Sequence, residues 1–168
     1  MKFLVTLVLA LVLLTLESVV VQQLGLAISR IDVTVVLVAF LAVRASTQEG
    51  AISSFSVGYL LDLMSGQPTG LFTFLAVFTF LVGKLVVSLV EVRGRAAFVL
   101  FAMGADVGHS LLASFFTWLT TKDGSASALL PGLPLQVTLT GVAAVFLYPL
   151  LRRFEASQDR TSSAGLLR

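Results

Sequence analysis

In this 168-residue chain 57% of the residues are hydrophobic and 12% charged, and the mean hydropathy is +1.01. Most side chains therefore face lipid or one another, and no polar block is long enough to fold as a separate soluble domain. Cysteine is absent, which excludes disulfides, thiolate metal sites and a cysteine nucleophile. The net charge of +2 is not gathered into a basic segment interleaved with aromatics, so the basic residues report topology rather than nucleic-acid binding.

Apolar runs predict six membrane helices, at residues 3–21, 31–43, 51–64, 71–90, 96–119 and 135–151. The first begins after Lys2 like a signal peptide, but no small-x-small cleavage pattern follows Glu17 and Ser18, and it reads as an uncleaved helix. The second and third are short. A run of about 14 residues covers only ~21 Å of a ~30 Å hydrocarbon core. These two must extend into flanking polar residues, meet a thinned bilayer, or be sheltered by their neighbours.

With a cytoplasmic N-terminus, the loops after spans two, four and six are also cytoplasmic. They hold Arg44, then Arg93 and Arg95, then Arg152 and Arg153, with Arg160 and Arg168 in the tail, while Arg30 and Lys122 fall outside. This asymmetry follows the positive-inside rule and places both termini in the cytoplasm. The expected organisation is a six-helix transmembrane domain over 1–154 and a disordered cytoplasmic tail over 155–168, which is rich in Ser and charge.

A carboxylate at the centre of a span costs about 2.5 to 3.5 kcal/mol unless it is paired or solvated, so intramembrane polar residues are the places to look for function. Glu17, Asp32 and Asp62 lie toward the outer ends of the first three spans, with Arg30 at the same level. They form either an ion-pair cluster or wet, uncoupled headgroup residues. Ser54, Gly58, Asp62 and Ser65 recur at helical spacing and give span three a small polar face. Asp62 there accepts hydrogen bonds from a neighbouring span or caps a helix N-terminus; the alternative is generic packing with the acid in interfacial water. The following Ser65-Gly66-Gln67-Pro68-Thr69-Gly70 is a turn by composition.

Span five aligns Asp106, His109, Ser110, Ala113, Ser114 and Thr117 on one face. Asp106 and His109 are spaced to share a proton, as in a relay, or to lie in a hydrogen-bonded interhelical seam. Lys84 in span four can snorkel to the cytoplasm or pair with Asp106. No catalytic motif is present: there is no Gly-x-Ser-x-Gly turn, HExxH pair, P-loop or GxGxxG fingerprint, and no metal-ligand cluster. The reading is therefore a protein without catalytic residues, metal or cofactor.

The layout, above all Gly58-x-x-x-Asp62-x-x-Ser65-Gly66-x-x-x-Gly70-Leu71 after a short second span, resembles the rod shape-determining protein MreD family. Ile31 before Asp32 and Leu61 before Asp62 stand where that family often has Pro and Gln. The resemblance covers most of the chain. It implies an all-α integral membrane bundle of six transmembrane helices, similar to the substrate-binding subunits of energy-coupling-factor transporters. It further implies a non-enzymatic component of the bacterial cell-elongation complex in the inner membrane. Its partners would be MreC, MreB, RodA and a class-B penicillin-binding transpeptidase. Gly58, Asp62, Ser65, Gly66 and Gly70 would form the helix-packing or partner interface, and Asp106, His109, Ser110 and Lys84 an intramembrane polar seam. The rival is a vitamin-binding transporter subunit, which needs polar and aromatic ligands around an outward cavity; the loop at 120–134 offers few.

Overall fold

The computed structural model describes residues 8, 10–16, 32–65, 70–120 and 132–165. The described residues are almost entirely helical: α1 (10–16), α2 (Val33–Arg44), α3 (Thr47–Ser65), α4 (Leu71–Leu89), α5 (Gly94–Thr120) and α6 (Leu133–Gly165). Three of them are long and apolar enough to cross a membrane, α4 over its whole length, α5 over Gly94–Phe116 and α6 over Leu133–Phe154. The protein is membrane-embedded.

The bundle is built around its shortest member. α2 has 12 residues, about 18 Å of helix, and every residue from Val33 to Ala42 is buried. It packs against α3, α4, α5 and α6, so neighbours rather than length solve the problem of the short second span. Its run of Val and Thr would favour a strand in water; surrounded by apolar side chains, only a helix pairs every backbone group within the segment. Around it Phe98 of α5 meets Phe40 edge-on at 6.1 Å and Tyr148 of α6 at 4.9 Å, while Ala10 and Leu13 of α1 join the same cluster. On the other side Phe80 packs with Val38, Leu41, Ala42 and Ala76.

The third span is lengthened at its polar start. Ser46 accepts from the Glu49 amide at 3.4 Å and donates to Glu49 Oε2 at 3.2 Å, so α3 begins at Thr47, four residues before its apolar run. α3 and α4 form the closest helix pair because Gly58 lets their backbones touch. A Cβ there would stand 2.6 Å from Thr73 Cα and 2.8 Å from the Phe72 carbonyl oxygen.

One end differs from the sequence expectation. The stretch beyond 154 was expected to be disordered, but α6 continues to Gly165, because no proline or glycine interrupts 150–164 and the helix propagates from a packed segment. α6 also contains Pro149, which cannot donate to the Val145 carbonyl. Arg95 Nη2 donates to that freed oxygen at 2.6 Å. Glu17, Arg30, Gly66 and Lys122 lie outside the described residues, so the proposed cluster of Glu17 and Arg30 does too.

Gly58→Ala should lower stability by about 1–3 kcal/mol, since the added methyl meets backbone that cannot turn away. Ser56→Ala, two residues away at a half-buried position whose hydroxyl donates to the Ile52 carbonyl of its own helix, should change it by less than about 0.5 kcal/mol. Thermal unfolding of the two purified variants in one detergent measures the difference.

Candidate functional site: helix caps and a buried polar seam

Asp62 is 4% exposed and sits one turn before the end of α3. Its Oδ1 accepts from the Phe72 amide at 3.0 Å and its Oδ2 from the Thr73 amide at 2.9 Å, and the Thr73 hydroxyl also donates to Oδ2. These amides belong to the first turn of α4, where no intrahelical acceptor exists and the helix dipole is positive. The preceding Gly70 has φ +105°, a left-handed conformation that favours glycine, and supplies no side-chain cap of its own. Asp62 therefore caps α4 from α3. Gly58, one turn earlier, presses on the same α4 residues. The Ser65 side chain and Gly66 lie outside what is described.

Asp32 performs the equivalent task for α2. Its Oδ1 accepts from the Val35 amide at 3.1 Å, while its own amide donates to Thr140 Oγ1 of α6 at 3.3 Å. Because α2 is short, Asp32 lies level with His109 of α5 and Thr140 of α6, inside the apolar stretches of both helices. Its Oδ2 is 3.9 Å from His109 Nε2, and His109 Nδ1 shares a 2.9 Å hydrogen bond with Thr79 Oγ1 of α4. Asp106, one turn from His109, goes elsewhere: Gln136 Nε2 of α6 donates to Asp106 Oδ1 at 3.0 Å and lies 2.9 Å from Ser110 Oγ. Asp106 is 0% exposed, and its Oδ2 has no hydrogen-bond partner among the described residues.

Asp106, His109 and Ser110 of the span-five stripe thus face inward and meet α2, α4 and α6 through separate contacts. Asp106 and His109 have different partners. Lys84 turns away from both; its Nζ donates to the Ala45 carbonyl at 2.5 Å, at the C-terminal end of α2. Sequence reasoning missed Gln136, Thr140 and Thr79. Gln136 and Thr140 are four residues apart in an otherwise apolar span, which places both on one helical face and is the signal that could have found them.

Between α4 and α5 runs a groove of about 600 Å³, from Thr79 and His109 to Glu91 and Val92, with an otherwise mainly apolar lining. Among the described residues no group of three or more His, Cys, Asp or Glu side chains is placed to hold a metal ion. The chain matches no protein-family model, no curated protein and no solved structure.

Replacing Gln136 by Leu should destabilise the protein by about 1–3 kcal/mol, because the buried Asp106 carboxyl loses the Gln136 donor. Adding Asp106→Leu should recover part of that loss, since the buried carboxyl that lost its donor is gone. A double-mutant cycle on unfolding in detergent gives the coupling; additive effects would show that the pair is not engaged. His109→Gln, which keeps a donor and an acceptor, should accumulate in membranes near normally, and His109→Leu should accumulate less.

Proposed function

We propose that the protein is a non-enzymatic membrane scaffold of the bacterial cell-elongation complex, an MreD-like component of the machinery for lateral peptidoglycan synthesis. The observation that carries this reading is the Asp62 cap. Three of the five residues on which the resemblance rests, Gly58, Asp62 and Gly70, lie at one junction, where α3 leads into α4. A buried carboxylate engaged by three donors of a helix terminus is built to hold geometry. Other described polar side chains also join helices: Thr140 of α6 to the Asp32 amide at the start of α2, His109 to α4, Gln136 to α5 and Lys84 to α2.

In this reading six helices span the inner membrane with both termini in the cytoplasm. The partners are MreC in direct contact, with MreB, RodA and a class-B penicillin-binding transpeptidase in the larger assembly. The vitamin-binding alternative is less well supported. The groove between α4 and α5 reaches Glu91 and Val92, beside the Arg-rich loop that the positive-inside rule assigns to the cytoplasm, whereas a substrate-capturing subunit needs an outward cavity with converging polar groups.

Asp62→Ala should reduce co-purification of MreC more than it reduces the amount of protein in the membrane, and Asp62→Asn, which keeps one acceptor for an α4 amide, should be milder. Paired immunoblots and pull-downs, with cell shape scored in cells lacking their own copy, give the readout. Wild-type recruitment and rod shape with Asp62→Ala would remove the reading. Alkaline phosphatase fused after Arg168 should be inactive and active when inserted near Gly124; the reverse pattern would overturn the topology.

A further inference from the structure

Two arginines meet at one edge of the bundle. The apolar stretch of α5 begins at Gly94 and that of α6 ends at Phe154, so Arg95 and Arg152 each lie just inside a boundary. The 4.9 Å contact between Phe98 and Tyr148 fixes the register of the two helices. Arg95 stands three residues outward from Phe98, and Arg152 four residues outward from Tyr148. At helical spacing that puts both on the contacting faces and at one level.

An arginine at a membrane edge ordinarily reaches outward into water. These two turn inward. Arg95 Nη2 donates to the Val145 carbonyl at 2.6 Å, and the Arg152 guanidinium lies 6.0 Å from the centre of the Tyr148 ring, one turn back along α6. Both positive groups therefore converge on the turn at 145–148. Among the described residues no carboxylate pairs with either, since Glu91, four residues before Arg95, is taken by Arg93. Like charges held side by side repel, more strongly where lipid replaces water on one side, and an anion between them removes that repulsion. A guanidinium has five N–H donors, so the bond to Val145 leaves Arg95 most of its own.

The anions found at this level of a bilayer are lipid phosphates, whose oxygens match the fork of a guanidinium. A zwitterionic lipid would bring an ammonium group to a place that already holds two positive charges; an anionic phospholipid brings none. Just inside the arginines Phe146 and Leu150 of α6 are exposed, four residues apart on one face, and offer an apolar surface for acyl chains. Basic pockets between membrane helices are a known type of seat for anionic headgroups.

We propose that the joint between α5 and α6 binds an anionic phospholipid, with its phosphodiester between the guanidiniums of Arg95 and Arg152 and its chains along Phe146 and Leu150. The site is separate from the Asp62 junction and from the polar seam. It requires only that α5 and α6 cross the membrane, and it depends neither on which assembly the protein serves nor on which end faces the cytoplasm.

The test is native mass spectrometry of the full-length protein released from nanodiscs that hold equimolar phosphatidylglycerol and phosphatidylethanolamine with the same chains. Phosphatidylglycerol should be retained about fivefold or more over phosphatidylethanolamine. Arg152→Gln should lower that retention about fivefold, and Arg95→Gln added to it about twentyfold, since each basic group near the surface contributes about that factor. Arg153→Gln removes the same charge from the next, also exposed, position and should leave retention near wild type. In phosphatidylcholine nanodiscs Arg152→Gln should melt with the wild type, because Arg152 lies over a ring of its own helix and bonds to no other helix among the described residues. Phosphatidylglycerol should then raise the melting temperature of the wild type and not of Arg152→Gln, a split that a purely structural arginine would not produce. Equal retention of the two lipids, equal loss from Arg153→Gln, displacement of the lipid by millimolar inorganic phosphate, or a wild-type response of Arg152→Gln to phosphatidylglycerol would each overturn the proposal.

Discussion

A helix that ends inside a bilayer leaves backbone N–H or C=O groups where no water can reach them, and the arrangement of this protein depends on meeting that constraint. α2 is too short to carry both ends to the headgroups. Its N-terminus is closed by Asp32 and its C-terminal carbonyl at Ala45 by Lys84, which arrives from α4. Asp62 closes the start of α4, and Arg95 supplies the hydrogen bond that Pro149 removes from α6. Each charge opposes the helix dipole or fills a vacant backbone partner, which is why charged groups can be tolerated at these depths. Each also comes from, or reaches to, another helix, except for the Asp32 side chain, so capping and assembly are the same event.

Such caps were partly legible in the sequence. Asp62 could be read as a candidate cap because the glycine-rich turn and the start of span four follow it within a few residues. Lys84 could not, since its acceptor is a backbone carbonyl 39 positions away, invisible to any pattern of side chains. The Asp106–Gln136 pair spans 30 residues and a turn between helices, and the i,i+3 spacing of Asp106 and His109 suggested a contact between them that the helix rotation does not favour. The depth of Asp32 was not legible for a related reason: the mainly apolar run 31–43 shows that a span is short without showing at which end the shortfall lies. The continuation of α6 to Gly165 was missed because polar composition was weighed above the absence of any residue that stops a helix.

The two sides of α4 are built differently. Toward α3 its backbone is in contact through Gly58, and toward α2 Gly83 brings it against Ala42, so this half of the bundle is close-packed. Toward α5 the contact is sparse, and the groove occupies the space between them. In water such a gap would collapse under the hydrophobic effect. In lipid, side chains exchange one apolar neighbour for another, and little drives closure. Polar links and local close contacts must then set the separation.

At mid-depth that link is the 2.9 Å bond between Thr79 and His109, with Phe101 against Gly83 one turn nearer the Arg-rich end. His109 is 7% exposed, so its ring is held by its surroundings and forms one end of the groove while facing Asp32 with its other nitrogen. The seam and the groove therefore share a residue. The buried hydrogen bonds of the seam resist spreading more strongly than apolar contacts of the same extent, because each broken one leaves a polar atom unpaired in hydrocarbon. The intramembrane polar residues thus have a structural use that requires no proton movement: they hold α4 and α5 at a distance that apolar packing alone, in a lipid solvent, would leave undetermined.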